Sequence, residues 1–159
     1  MYIGNIIDKI DKKYHYQKFN RINFNSKKIK KGDIFFAIKG NKINGENYIK
    51  EAIKKGASII ICSKEYKAKH PNITIIKKND IRNFLSFISS KFYKFKPKNI
   101  IAVTGTNGKT SVADIFFQIL KINKVPVASI GTLGIKYGNK TIKTNLTSPD
   151  TVSIHKYLN

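Results

Sequence analysis

The stretch with the least conformational freedom runs from residue 100 to residue 122. Ile100-Ile101-Ala102-Val103 is a continuous apolar run, Thr104-Gly105-Thr106-Asn107-Gly108-Lys109-Thr110-Ser111 follows it, and apolar residues then recur at Val112, Ile115, Phe116, Ile119 and Leu120. A short run that is apolar on both faces is the pattern of a strand buried inside a parallel sheet. The later spacing predicts a helix from Lys109 with those five residues facing the sheet. Between the two, Gly105 and Gly108 let the backbone curve closely where a Cβ would collide. A strand, a tight turn and a helix in this order aim backbone N–H groups and the positive end of the helix dipole at one point, a geometry that binds phosphate. Lys109 adds a point charge, and Thr110 a hydroxyl suited to a magnesium ion. The general phosphate-loop spacing is only partly met, because its leading glycine would fall at Val103. An ordinary tight turn is the plainer alternative, but it leaves the strand before and the amphipathic helix after without a purpose.

The rest of the chain alternates short β-branched runs with helical stretches, which predicts an α/β fold. Strands are expected over residues 21–25, 33–38, 58–63, 73–77, 99–104 and about 125–131. A helix should start after Asn79 or Asp80, either of which can cap it, and bury Ile81, Phe84, Leu85, Ile88 and Phe92. A shorter one over about 46–55 should bury Ile49, Ala52 and Ile53 and end at Gly56, which suits the left-handed position after a helix. Pro97 stops the second helix and restricts the residue before it. The expected organisation is therefore a small domain over residues 1–97 and the first part of a second over 98–159. The stretch 150–159 reads as the start of a helix without a stop signal, and the elements after the loop do not complete a doubly wound sheet, so an amino-terminal fragment of a longer protein is expected.

Composition narrows the function classes. The net charge of +22 would suit a nucleic-acid partner, but the cations are spread evenly and only Arg21 and Arg82 are arginines. Together with abundant Ile and Asn this reads as drift toward AT-rich codons, so no nucleic-acid partner is expected. A basic nucleic-acid-binding protein with a degenerate nucleotide loop is the alternative from a different class. No apolar run reaches the roughly 18 residues of a membrane span, and a cytoplasmic protein is expected. Cys62 lies in an apolar run, as a buried thiol does. His15, His70 and His155 share no metal-ligand spacing with it.

The string Thr104-Gly105-Thr106-Asn107-Gly108-Lys109-Thr110-Ser111 resembles the ATP loop of the Mur ligases and their folylpolyglutamate synthetase relatives, where this shortened spacing is usual. Further along, Ile130-Gly131-Thr132-Leu133-Gly134 and Leu146-Thr147-Ser148-Pro149-Asp150 resemble elements of the Mur ligases that add the third residue of the peptidoglycan stem. Upstream, Asn25-Ser26-Lys27, the segment from Lys31 to Gly40, and Asn44-Gly45-Glu46-Asn47-Tyr48-Ile49 continue the likeness. The resemblance covers about residues 21–158.

It implies a small N-terminal α/β uridine-binding domain followed by the start of a parallel-sheet P-loop ATPase domain. The implied reaction is ATP-dependent joining of a diamino acid, meso-diaminopimelate or L-lysine, to UDP-N-acetylmuramoyl-L-alanyl-D-glutamate, a UDP-N-acetylmuramoyl-dipeptide. ATP phosphorylates the substrate carboxylate, and the amine displaces phosphate. Such chemistry asks for charge neutralisation more than a protein nucleophile. The resemblance places ATP on Gly105, Thr106, Asn107, Gly108, Lys109, Thr110 and Ser111, with Lys109 and Thr110 catalytic and Thr110 at magnesium. It places the muramoyl-peptide on Thr147 and Ser148, and the uridine diphosphate end on Phe24, Ser26 and the loop Asn41-Lys42-Ile43. Asn25 and Lys27 replace the usual Asp and Arg, so Lys27 can act on phosphate only as a point charge. Read from the residues alone, Ser26 serves equally as a turn or cap hydroxyl, Thr147 and Ser148 as caps of the final helix, and Gly32-Asp33 as a turn into a buried strand. The Mur ligase that adds D-alanyl-D-alanine shares the loop and is the neighbouring alternative; the string at residues 147–150 speaks against it.

Overall fold

A computed structural model describes residues 1–7, 10–40, 43–143 and 149–159. The chain divides into two compact units, Met1–Phe95 with Asn159, and Lys96–Leu158. Each is taken by itself below.

In the first unit, β1 (Ile22–Asn23), β2 (Ile34–Phe36), β3 (Ile59–Cys62) and β4 (Thr74–Lys77) form one parallel sheet in that order. Period-2 alternation sends neighbouring side chains to opposite faces. On one face, Phe35, Ala37, Ile60 and Cys62 pack with Ile49 and Ala52 of α1 (Ile49–Lys54) and with Ile29. Phe36 belongs to the other face and meets Phe84 of α2 (Ile81–Phe92), ring centroids 6.2 Å apart. Every β3 residue is fully buried, which is why 59–62 reads as an unbroken apolar run instead of an alternating one. Asp80 caps α2 by accepting from the Asn83 N–H at 2.9 Å. A 3-10 turn over Gly45–Tyr48 leads into α1, and Gly56 follows the helix at φ +94°.

The strands of this sheet are tied together at Asp33. Its carboxylate, fully buried, accepts from Arg21 Nε at 3.0 Å and Nη2 at 2.7 Å, from the Asn23 amide at 3.1 Å and from the Lys30 N–H at 2.9 Å. Its carbonyl accepts from the Ser58 N–H at 2.9 Å. One residue thus joins β1, the turn before β2 and the entry to β3. The turn reading of Gly32-Asp33 describes where the residue sits but misses the charge.

The second unit contains α3 (Lys109–Ile122), an antiparallel meander of β5 (Ala128–Gly131), β6 (Gly134–Tyr137) and β7 (Lys140–Ile142), and α4 (Thr151–Leu158). The strand expected at 99–104 is not formed: among the described residues nothing pairs with it, and Ile100 and Ile101 are 63% and 64% exposed. A doubly buried strand needs a neighbour on each edge, and the strands that follow here pair only with one another. The helical period of α3 is as expected but its packed face is not. Val112, Ile115, Phe116 and Ile119 are exposed, whereas Phe117 is buried. Asp114, Phe117, Gln118 and Lys121 line a cavity of about 270 Å³ with the β6–β7 turn. Asp114 ion-pairs with Lys136 of β6 and accepts from Gln118 at 2.7 Å. Asp150 takes the capping role at the start of α4, accepting from the Ser153 N–H at 2.9 Å; Thr147 and Ser148 lie outside the described residues.

Two stability tests follow from these contacts. Asp33→Ala strands the Arg21 and Asn23 donors and should lower stability by about 3 kcal/mol, while Arg21→Lys, which loses the two-pronged contact, should cost less. Urea unfolding followed by circular dichroism measures both, and an Asp33→Ala curve overlying the wild type would refute the account. In the meander, a Cβ on Gly134 would lie 2.3 Å from the Ile142 carbonyl oxygen at φ +97°. Gly134→Ala should therefore cost more than about 2 kcal/mol and lower the melting temperature.

Candidate functional site

Two groups of residues carry chemistry, one in each unit. In the second unit, the loop from Thr104 to Ser111 is exposed throughout. Gly105 at φ +148° and Gly108 at φ +75° hold the two backbone conformations that a side chain would strain. Gly108 is the residue before α3, and no side chain caps that helix. Its first amide groups accordingly face outward with the positive end of a 14-residue dipole behind them. The Lys109 side chain folds back over the loop, donating to the carbonyls of Gly105 and, at 3.0 Å, of Thr106. An ammonium has three donors, so a third N–H is left for an anion. Thr110 Oγ1 lies 2.8 Å from Thr132 Oγ1, at the turn between β5 and β6.

Thr132 is a residue that sequence reasoning missed as part of the site. A hydroxyl that ligates a cation does so through its lone pairs and must send its proton elsewhere; Thr132 Oγ1 can receive it. The Gly131-Thr132 string was visible in the sequence, but no spacing rule places it 2.8 Å from a residue 22 positions earlier. The donor set around Thr110, hydroxyl oxygens, is the kind magnesium accepts. Asn107 and Ser111 are exposed in the loop and the first helical turn.

In the first unit, Phe24 and Ser26 follow the carboxyl end of β1, and residues 37–43 follow the carboxyl end of the adjacent β2. Ligands of open parallel sheets bind outside these ends. Phe24 is 39% exposed and Ile43 is 59% exposed; Asn41 and Lys42 lie outside the described residues. The loop that carries them is closed at its base by hydrogen bonds from Gly40 N–H to Ile43 O (2.8 Å) and from Gly45 N–H to Ile38 O (2.9 Å). A Cβ on Gly45 would fall 2.6 Å from both backbone N and O of Ile38, so only glycine permits this closure.

Ser26 is buried, and its hydroxyl donates to Glu51 Oε2 of α1 at 2.8 Å. Glu51 also pairs with Lys55 at 2.8 Å. These two contacts, Lys55 first, with the nearby charge of Lys27, hold the Glu51 carboxyl below its usual range. Sequence reasoning missed Glu51, because a Glu four residues before a Lys on a helix reads as an ordinary surface pair. Asn25 caps the turn by accepting from the Lys27 N–H at 2.9 Å. Cys62 is fully buried, and burial with the charge of Glu46 pushes its thiol up to about 11, which leaves it no nucleophilic role. No helix among the described residues is long and apolar enough to cross a membrane.

Comparison with known proteins places both groups in one family. Residues 18–93 match the model of the "Mur ligase family, catalytic domain", and residues 103–159 match the "Mur ligase middle domain". The chain is 39% identical over 142 residues to the UDP-N-acetylmuramoyl-L-alanyl-D-glutamate–2,6-diaminopimelate ligase of Clostridioides difficile (strain 630), covering 88% of this chain and 29% of that protein. A solved structure of a ligase of the same name superposes with a TM-score of 0.80 at 25% identity, over 99% of this chain and 32% of that one. MurF ligase from Thermotoga maritima, solved in complex with ADP, matches 67% of this chain and 24% of its own length, with a TM-score of 0.53 and 29% identity. The chain thus spans about 30% of the length of these two diaminopimelate-ligase relatives. With two family models matching residues 18–93 and 103–159 and a shared fold over nearly all its residues, this chain belongs to the Mur ligase family.

Proposed function

We propose that the chain supplies the uridine-diphosphate-binding domain, residues 1–97, and the first part of the ATP-binding domain, residues 98–159, of a cytoplasmic ligase. That ligase joins a diamino acid to UDP-N-acetylmuramoyl-L-alanyl-D-glutamate in peptidoglycan synthesis. The observation that carries this reading is the uncapped start of α3 behind Gly105 and Gly108, with the Lys109 ammonium already held against the loop. An oriented set of amides plus a fixed cation stabilises the charge that develops on a transferring phosphoryl group without reorganising during reaction. The ADP bound by the Thermotoga maritima relative supports a nucleotide at this loop. The fuller coverage by the diaminopimelate-adding relative supports the tripeptide-forming reaction over the D-alanyl-D-alanine-adding one.

In this reading the loop amides and Lys109 bind the β- and γ-phosphates of ATP, and Thr110, its proton directed to Thr132, offers a lone pair to Mg2+. The metal, when bound, neutralises phosphate charge. Phe24 presents an aromatic face for the uracil, of the kind that stacks on bases. Ser26, with its only proton committed to Glu51, meets the nucleotide as an acceptor. As the family resemblance implies, Asn41, Lys42 and Ile43 hold the uridine diphosphate end, and Thr147 and Ser148 contact the muramoyl-peptide.

Lys109→Ala should weaken ADP affinity by more than about tenfold, since a charge-assisted contact is worth roughly 1.5–3 kcal/mol. Lys109→Arg should not restore it, because a planar fork does not fit where an ammonium meets two carbonyls of one turn. Fluorescence titration with a labelled ADP reads both, and an unchanged Lys109→Ala affinity would remove Lys109 from the site. For the uridine end, calorimetric titration with UDP-N-acetylmuramoyl-dipeptide should show binding that weakens several-fold in Ser26→Ala, consistent with loss of one hydrogen bond. Absence of heat at about 1 mM ligand would count against the uridine-binding reading.

A further inference from the structure

The outer edge of β4 is built differently from the rest of the first unit. β4 ends the sheet, and no strand pairs with its far side among the described residues. The Lys78 N–H donates to the Cys62 carbonyl at 2.9 Å, toward β3. Alternation then turns the N–H and C=O of Ile76 and Thr74 toward β3 as well, and those of Ile75 and Lys77 outward. Tyr14 confirms the phase, since its hydroxyl donates to the Ile75 carbonyl at 3.3 Å from the open side.

This edge forms the floor of a cleft of about 600 Å³, which falls in the range of ligand clefts, roughly 300–1,000 Å³. Ile75, Ile76, Lys77 and Lys78 all line it. Consecutive strand residues point to opposite faces, so a cleft that touches four in a row runs along the backbone edge. Ile10, Asp11, Lys13 and Tyr14 and residues 67–71 contribute its other walls. The charge on these walls is one-sided. Lys13 is neutralised by Asp11 at 3.0 Å, and Lys78 sits 4.4 Å over the Phe84 ring. Lys67, Lys69 and Lys77 form no ion pair among the described residues. Lysines alone are a common device for keeping a sheet edge unpaired. They do not require a walled cleft, and here the outward amides of Ile75 and Lys77 are spaced as an added strand would use them.

We propose that this edge takes up an extended acidic peptide segment of a partner protein, which joins the sheet as a fifth strand. Carbonyls of the segment accept from the Ile75 and Lys77 amides, and its carboxylates meet Lys67, Lys69 and Lys77. The site is independent of the nucleotide sites and does not rest on the ligase reading.

The test uses the 159-residue chain and a capped peptide, Glu-Val-Glu-Val-Glu-Val, followed by amide NMR. Saturable binding is expected at or below about 1 mM. Hydrogen exchange at Ile75 and Lys77 should slow by at least about fivefold, while Ile76, bonded to β3 already, stays unchanged. The double variant Lys67→Glu/Lys69→Glu, altered only at exposed positions, should weaken binding by about tenfold or more, and a Lys-Val peptide should not bind. The proposal is overturned by no saturable shift up to that concentration. It is equally overturned by binding that leaves the Ile75 and Lys77 exchange rates untouched, or by a short single-stranded DNA that competes the peptide off at lower concentration.

Discussion

The first unit depends on a charge that has no water to turn to. A carboxylate buried as completely as that of Asp33 is tolerable only with its lone pairs filled, and Arg21, Asn23 and the Lys30 amide fill them from three directions. Because those donors sit on β1 and on the turn before β2, satisfying the charge fixes where β1 ends and how that turn closes, and the Asp33 carbonyl then meets the entry to β3 at the Ser58 N–H. Two-residue β1 has too little ladder of its own to hold a register. The ion pair sets it instead, and Phe24 and Ser26 leave the sheet at the place that register dictates. Replacing the pair by apolar residues of like volume would keep the burial but lose this specification of position.

Much of that unit could be read from the chain before any coordinates. The unbroken run at 58–63 and the spacing from Ile81 to Phe92 left few alternatives, because burial on both faces and on one stripe produce different periods. What could not be read was pairing at a distance. Asp33 and Arg21 are twelve positions apart, Ser26 and Glu51 twenty-five; nothing local to any of them distinguishes a keystone or a positioning carboxylate from a surface charge.

The second unit shows a different limit. Apolar periodicity reports which face of a helix favours burial, not what covers it. In α3 the stripe at Val112, Ile115 and Ile119 obeys the period and is exposed, while the stripe through Asp114 and Phe117 packs on the meander with an ion pair at its centre. The run at 100–103 obeys the same logic for a strand. The helix forms as its period implied, whereas no strand forms at 100–103 among the described residues. Neither carries a signal for the antiparallel meander, whose turns at Gly134 and Gly138 lie in a segment without strong alternation.

The loop and the helix behind it were the clearest feature of the sequence, and the absence of a side-chain cap on α3 gives them a thermodynamic meaning. Helices favour a Ser, Thr, Asp or Asn at this position, whose side chain satisfies one of the first amides. Here Gly108 supplies none, so whatever anion settles on the loop completes the helix as its cap. On the proposed reading, nucleotide binding and the stability of the first turn of α3 are linked. By linkage, each tenfold rise in such a ligand above its dissociation constant would stabilise the ligand-bound fold by about 1.4 kcal/mol, so that on the proposed reading the ligand acts as a structural element of the fold.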